Sequence, residues 1–78
     1  MDNTTYIGFR FSHSRPDISA PNGNLTVHIL AVARDRKEAE KLAAELLPEQ
    51  GLRLLSSGAD DLNAARLVHL GDGEAKIL

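Results

Sequence analysis

Seventy-eight residues, 42% of them hydrophobic and 26% charged, with a formal net charge of −2, describe a single globular domain spanning 1–78. That balance excludes wholesale disorder, and so small a charge steers the chain neither to nucleic acid nor to an anionic membrane through its bulk field. The absence of cysteine excludes a disulfide scaffold and a thiolate metal site, and points to a reducing cytoplasm.

The first strand is expected over residues 4–13, with Thr5, Ile7, Phe9 and Phe11 on one face and Tyr6, Gly8, Arg10 and Ser12 on the other. Phe9 and Phe11 are the natural anchors of the core. Gly8 marks either a bulge or a place where another group comes close to the backbone. Residues 14–24 hold Pro16, Pro21 and the pair Asn22-Gly23, strong turn punctuation that predicts an antiparallel hairpin, with Asn22-Gly23 suited to a type I′ turn. The connection exceeds the usual two to five residues of a hairpin loop. Long loops often carry binding groups, which makes Arg15 and Asp17 candidate contact residues.

Residues 25–33 form the strand around which the chain is organised. Leu25, Val27, Ile29, Ala31 and Ala33 alternate with Thr26, His28, Leu30 and Val32, so its second half is apolar on both faces, as in a central strand or one whose outer face meets something. A helix is predicted from Asp35 to Leu47. Asp35 can accept from the first-turn amides, with Glu38 placed to reach back. Ala39, Leu42, Ala43, Leu46 and Leu47 form the apolar stripe, which is expected to pack Leu42 and Leu46 onto Phe9 and Phe11. Pro48 and Gly51 end the helix.

A third strand follows at 52–56, pairing with the first or second strand. Residues 57–63 are turn-rich, with one helical turn from Asp60. Residues 65–70 have apolar side chains all round a helical wheel, so a terminal hairpin through Gly71-Asp-Gly-Glu74 into 75–78 fits better. The sum is an α+β fold in two layers: an antiparallel sheet with one helix on one face, in the order β-β-α-β plus a short C-terminal β element. One helix covers one side. The other side then shows Tyr6, Leu30 and Val32, rimmed by Arg10 and His28, and a contiguous apolar patch of this kind marks an interface for a partner or a second copy of the chain. The alternative is that 65–78 folds across this face.

No constellation points to catalysis. Ser12, His13, Ser14 and Asp17 cannot form a triad from adjacent strand positions, because neighbouring side chains point to opposite faces. The spacings of His13, His28 and His69 match no zinc pattern, and Gly71-Asp-Gly73 lacks the lysine and following helix of a phosphate cradle. No cofactor or metal is expected. Arg34, Arg36, Lys37 and Lys41 are the one basic concentration, and Asp35, Glu38 and Glu40 interleave with it, which disfavours direct nucleic-acid binding. The longest apolar run, around Ile29, falls far short of the roughly 20 residues of a spanning helix, and no leader-like segment opens the sequence, so no membrane role is expected.

In size, in its β-β-α-β order and in the strand-to-helix run Val32-Ala-Arg-Asp-Arg-Lys-Glu-Ala-Glu-Lys-Leu-Ala43, the chain resembles the small phage-encoded inhibitors of the anti-CRISPR type. That resemblance implies a non-enzymatic protein that blocks a protein or ribonucleoprotein complex by direct contact, through Tyr6, Arg10, His28, Leu30 and Val32 or through Arg15 and Asp17. A regulator of the antitoxin or repressor kind, using the Arg34–Lys41 edge, is the alternative. An accessory subunit whose sheet completes a larger assembly is a third reading.

Overall fold

The computed structural model describes residues 5–48 and 51–78. Strands β1 (Ile7–Pro16) and β2 (Asn24–Ala33) pair antiparallel along their whole length, from Ile7↔Ala33 to Pro16↔Asn24. Helix α1 (Arg36–Leu46), strand β3 (Arg53–Gly58), helix α2 (Ala59–Leu67) and a short strand β4 (Ala75–Ile77) follow. β3 joins the free edge of β1 and β4 the free edge of β2, both antiparallel, so the sheet reads β3-β1-β2-β4. The α+β antiparallel sheet expected from the sequence is present, in the fuller order β-β-α-β-α-β. The first strand reaches Pro16 instead of ending at His13, and the third runs over 53–58; residue 4, the expected start of the first strand, lies outside the described residues.

The α1 start is the one its sequence specifies. Asp35 sits at the N-cap in an extended conformation, and its carboxylate accepts from the Glu38 amide at 2.8 Å. Glu38 does not close a capping box; its carboxylate takes the Arg34 guanidinium at 2.8 Å instead. Leu47, held extended before Pro48, caps the other end, and Gly51 takes a positive φ of 99° in the exit turn.

Strand alternation divides the interior in two. Odd residues of β1 and β2 (Phe9, Phe11, Ile29, Ala31, Ala33) pack with Ala39 and Ala43 of α1, joined by half-buried Leu42, Leu47, Leu52 and Leu54. Even residues Leu30 and Val32 pack with Ala65 of α2 and with Leu70. The two helices therefore lie on opposite faces and the domain has three layers, where the sequence suggested two. The expected packing of Leu46 on Phe9 and Phe11 is not found. Leu46 remains 40% exposed, because α1 lies over β2 and β4 more than over β1 and turns its alanines, not its last leucine, toward the sheet.

The single helical turn expected from Asp60 extends into the nine residues of α2, which takes up 65–67, so that of the terminal hairpin expected through 71–74 only the second strand, β4, forms. Asp60 and Asp61 fall in the first turn of α2 and Arg66 in its last, the favourable sense for the helix dipole. The helix ends in a Schellman-like turn: the Leu70 amide donates to Ala65 at 3.0 Å, the His69 amide to Arg66 at 3.1 Å, and His69 takes the left-handed φ of 64°. What seats α2 is Gly8. A Cβ there would lie 2.1 Å from the Leu62 nitrogen and 2.2 Å from the Asp61 carbonyl carbon, so the helix backbone rests on the strand where no side chain intervenes. Of the two roles the sequence leaves open for Gly8, close approach is the real one. The bulge lies in β3 instead, where Leu55 is the extra residue between the pairs Arg10↔Ser56 and Phe11↔Leu54.

Candidate functional site

The β1–β2 ladder outruns its neighbours. β3 reaches only Ser12 on one side, and β4 ends opposite Ile29 on the other, with the Leu78 amide still donating to the His28 carbonyl. Four further residues of each strand, beyond Ser12↔His28 to Pro16↔Asn24, continue as a two-stranded arm of about 13 Å at the usual strand rise. The arm stretches the molecule to 51 × 23 × 17 Å.

The connection at the arm's tip is fixed by its own hydrogen bonds. The Asp17 amide donates to Gly23 at 2.9 Å, the Ala20 amide to Asp17 at 3.1 Å and the Gly23 amide to Ala20 at 3.1 Å. The Asp17 carboxylate accepts from both the Ser19 amide at 2.9 Å and the Ser19 hydroxyl at 2.6 Å, an Asx turn. These two bonds, the hydroxyl's first, hold the Asp17 carboxyl below the usual aspartate range, with a smaller contribution from the charge of Arg15. Gly23 alone of the expected type I′ pair has positive φ, at 79°, so the turn is not type I′. Across the arm, the Ser14 and Thr26 hydroxyls are 2.9 Å apart. Within this braced loop Ile18 is fully exposed, at 104%.

The sheet-face surface expected from the sequence does not exist. Leu30 and Val32 are 1% and 0% exposed beneath α2, so neither can touch a partner. Tyr6 is half-buried against the same cluster. Arg10 pairs with Asp61, guanidinium to carboxylate at 3.3 Å, and the Ser56 hydroxyl donates to the other Asp61 oxygen at 2.7 Å. This buried carboxylate therefore ties α2 to β1 and β3. His28 is half-buried, its Nδ1 enclosed with no hydrogen-bond partner among the described residues. Of the seven candidate contact residues, only Arg15 and Asp17 lie on the arm, Arg15 exposed and Asp17 bracing the loop.

Ile18 escapes a sequence reading because an isolated apolar residue in a polar loop has no periodicity. The signal it does have is its place between Asp17 and Ser19, the two residues that make the turn. Asp61 is missed for a different reason: acidic residues at a helix start read as solvated.

Elsewhere, a cleft of about 350 Å³ is floored by Phe11, Leu52 and Leu54 and rimmed by Arg36 and Glu40. Its rim charges pair with each other at 2.7 Å, and among the described residues no acid, base and nucleophile converge there. Arg34 is likewise paired, and its hydrogen bond to Glu38 raises its pKa further. The basic edge from Arg34 is thus partly neutralised within α1 itself, which weakens its case as a phosphate-binding strip. No group of three or more metal-ligating side chains occurs among the described residues, and no described helix is long and apolar enough to cross a membrane. No family model matches the chain, and neither the curated proteins nor the solved structures provide a match.

Proposed function

We propose that this chain is a non-catalytic binding protein, in the manner of the small phage-encoded inhibitors it resembles, and that it engages a protein or ribonucleoprotein complex in the cell interior through the tip of its hairpin arm. The observation that carries this reading is Ile18, a large apolar side chain held wholly in solvent by a loop whose backbone is already fixed. Single exposed apolar residues are common on protein surfaces. This one differs in being presented at the far end of an ordered projection, where ordering on binding costs little because the loop is already arranged. Arg15 lies just inside it, exposed, and adds its positive charge to the tip.

The test is phage plating on bacteria carrying active CRISPR immunity, with and without the chain expressed. Wild type is expected to restore plating against at least one effector class. Ile18→Asp is expected to lose that effect while melting at the wild-type temperature, since Ile18 makes no buried contact. An absence of protection against every effector class removes the inhibitor reading; an Ile18→Asp variant that inhibits normally removes the arm from the interface.

A further inference from the structure

The arm's tip carries a second chemistry that is independent of any partner. Asn22-Gly23 is the chain's one asparagine–glycine pair; Asn3, Asn24 and Asn63 precede Thr4, Leu25 and Ala64. Both residues of the pair are solvent-exposed. A Cβ built on Gly23 would meet nothing within 4 Å, so the residue that follows Asn22 is open on its side-chain side and carries no side chain of its own. Asparagine is among the thermally labile residues, and glycine after it removes the usual steric barrier to ring closure.

From this geometry we infer that Asn22 is a site of spontaneous covalent modification whose rate is set by the arm's hydrogen bonds. The deprotonated Gly23 nitrogen, its proton taken by hydroxide, attacks the Asn22 side-chain carbonyl carbon. The new carbon–nitrogen bond closes a succinimide, and the side-chain carbon–nitrogen bond breaks as ammonia leaves with a proton from water. A second water opens the ring at either carbonyl, leaving aspartate or isoaspartate and one added negative charge. Oxidation states do not change. Two contacts oppose the closure. The Gly23 N–H donates to the Ala20 carbonyl at 3.1 Å, which ties up the proton that must leave, and the Asn22 side-chain oxygen accepts from the Asn24 amide at 3.3 Å, which restrains the rotation needed for attack.

Both contacts lie in the loop whose ends the Asp17 brace ties together, through the Asp17 amide to Gly23 and the Ala20 amide to Asp17. Loosening it therefore speeds the reaction, and once isoaspartate forms, the extra backbone methylene breaks the Gly23–Ala20 geometry for good. The modification is thus a one-way change in the arm's shape and charge, four residues from Ile18.

The experiment incubates the purified chain at mildly alkaline pH and physiological temperature and follows each asparagine by peptide mass spectrometry, with isoaspartate scored by enzymatic methylation. Asn22 is expected to convert first of the four asparagines, several-fold more slowly in the folded chain than in the chain unfolded in urea, and several-fold faster in Asp17→Ala than in wild type. Asn22→Gln serves as the blocked control. Conversion at another asparagine first, or at Asn22 with equal rates in the folded, urea-unfolded and Asp17→Ala forms, overturns the inference. The result does not depend on the arm having a partner, so it stands or falls apart from the proposed function.

Discussion

Replacing Gly8 by Ala probes the seat of α2 directly. Gly8 does not have a positive φ, so alanine is permitted by the backbone, and the change even removes some unfolded-state entropy, worth about 0.4 to 1 kcal/mol in favour of folding. Against this stands a Cβ 2.1 Å from the Leu62 nitrogen, 2.2 Å from the Asp61 carbonyl carbon and 2.6 Å from its oxygen. These are main-chain atoms of a helix and cannot rotate away, so α2 must retreat by more than about 1 Å to restore ordinary contact near 3.5 Å. That retreat stretches the Arg10–Asp61 pair and the Ser56–Asp61 bond and opens a gap over Leu30, Val32 and Ala65. Overpacking alone costs about 1 to 3 kcal/mol, and weakening hydrogen bonds to a charged group adds about 1.5 to 3 kcal/mol. A net loss of about 3 kcal/mol is expected, a large share of the roughly 4 to 12 kcal/mol available to a domain of this length. Urea denaturation gives the magnitude, and amide exchange should show α2 losing protection before the β1–β2 ladder. A Gly8→Ala variant within about 0.5 kcal/mol of wild type would refute the argument, because it would mean that α2 does not rest on this strand.

Three further outcomes follow from the same structure. Asp61→Ala should cost about 1 to 3 kcal/mol, since it removes the hydrogen bond that Ser56 donates and leaves the half-buried Arg10 without its carboxylate; a denaturation curve matching wild type would show the cluster to be idle. Phe11→Ala, at a residue 1% exposed, should cost about 3 to 5 kcal/mol, whereas Leu46→Ala, at 40% exposure, should cost under about 1 kcal/mol, and an inverted order in thermal melts would contradict the placement of α1. Because the Asp17 pKa is lowered in the fold, its contribution to arm order is complete above the unfolded value of about 3.9 and is lost as pH falls below that through the lower folded value. The Ser19 amide resonance should therefore move with a midpoint below that unfolded value, and a midpoint at or above it would show that the Ser19 bonds do not favour the charged form.

Some parts of this protein are written locally and others are not. The alternation in residues 25–33, the cap at Asp35, the stop at Pro48 and Gly51 and the close approach at Gly8 each depend on a few neighbouring residues or on the absence of one side chain, and all four are realised. The double-sided apolar run at Leu30 and Val32 correctly signals that both faces of β2 meet something. It does not say what, because a partner's surface and a helix of the same chain are equally apolar to a buried strand. α2 is legible only as one turn from Asp60, since its buried residues are Ala65 and Asp61, with Leu62 half-buried and bare backbone over Gly8, a face with almost no amphipathic period, while Leu67 at 82% exposure faces water. The exposure of Leu46 and the solitary projection of Ile18 depend on where α1 settles across the sheet and on how far β1 and β2 outrun β3 and β4. Those are relations between segments distant along the chain, and only tertiary packing sets them.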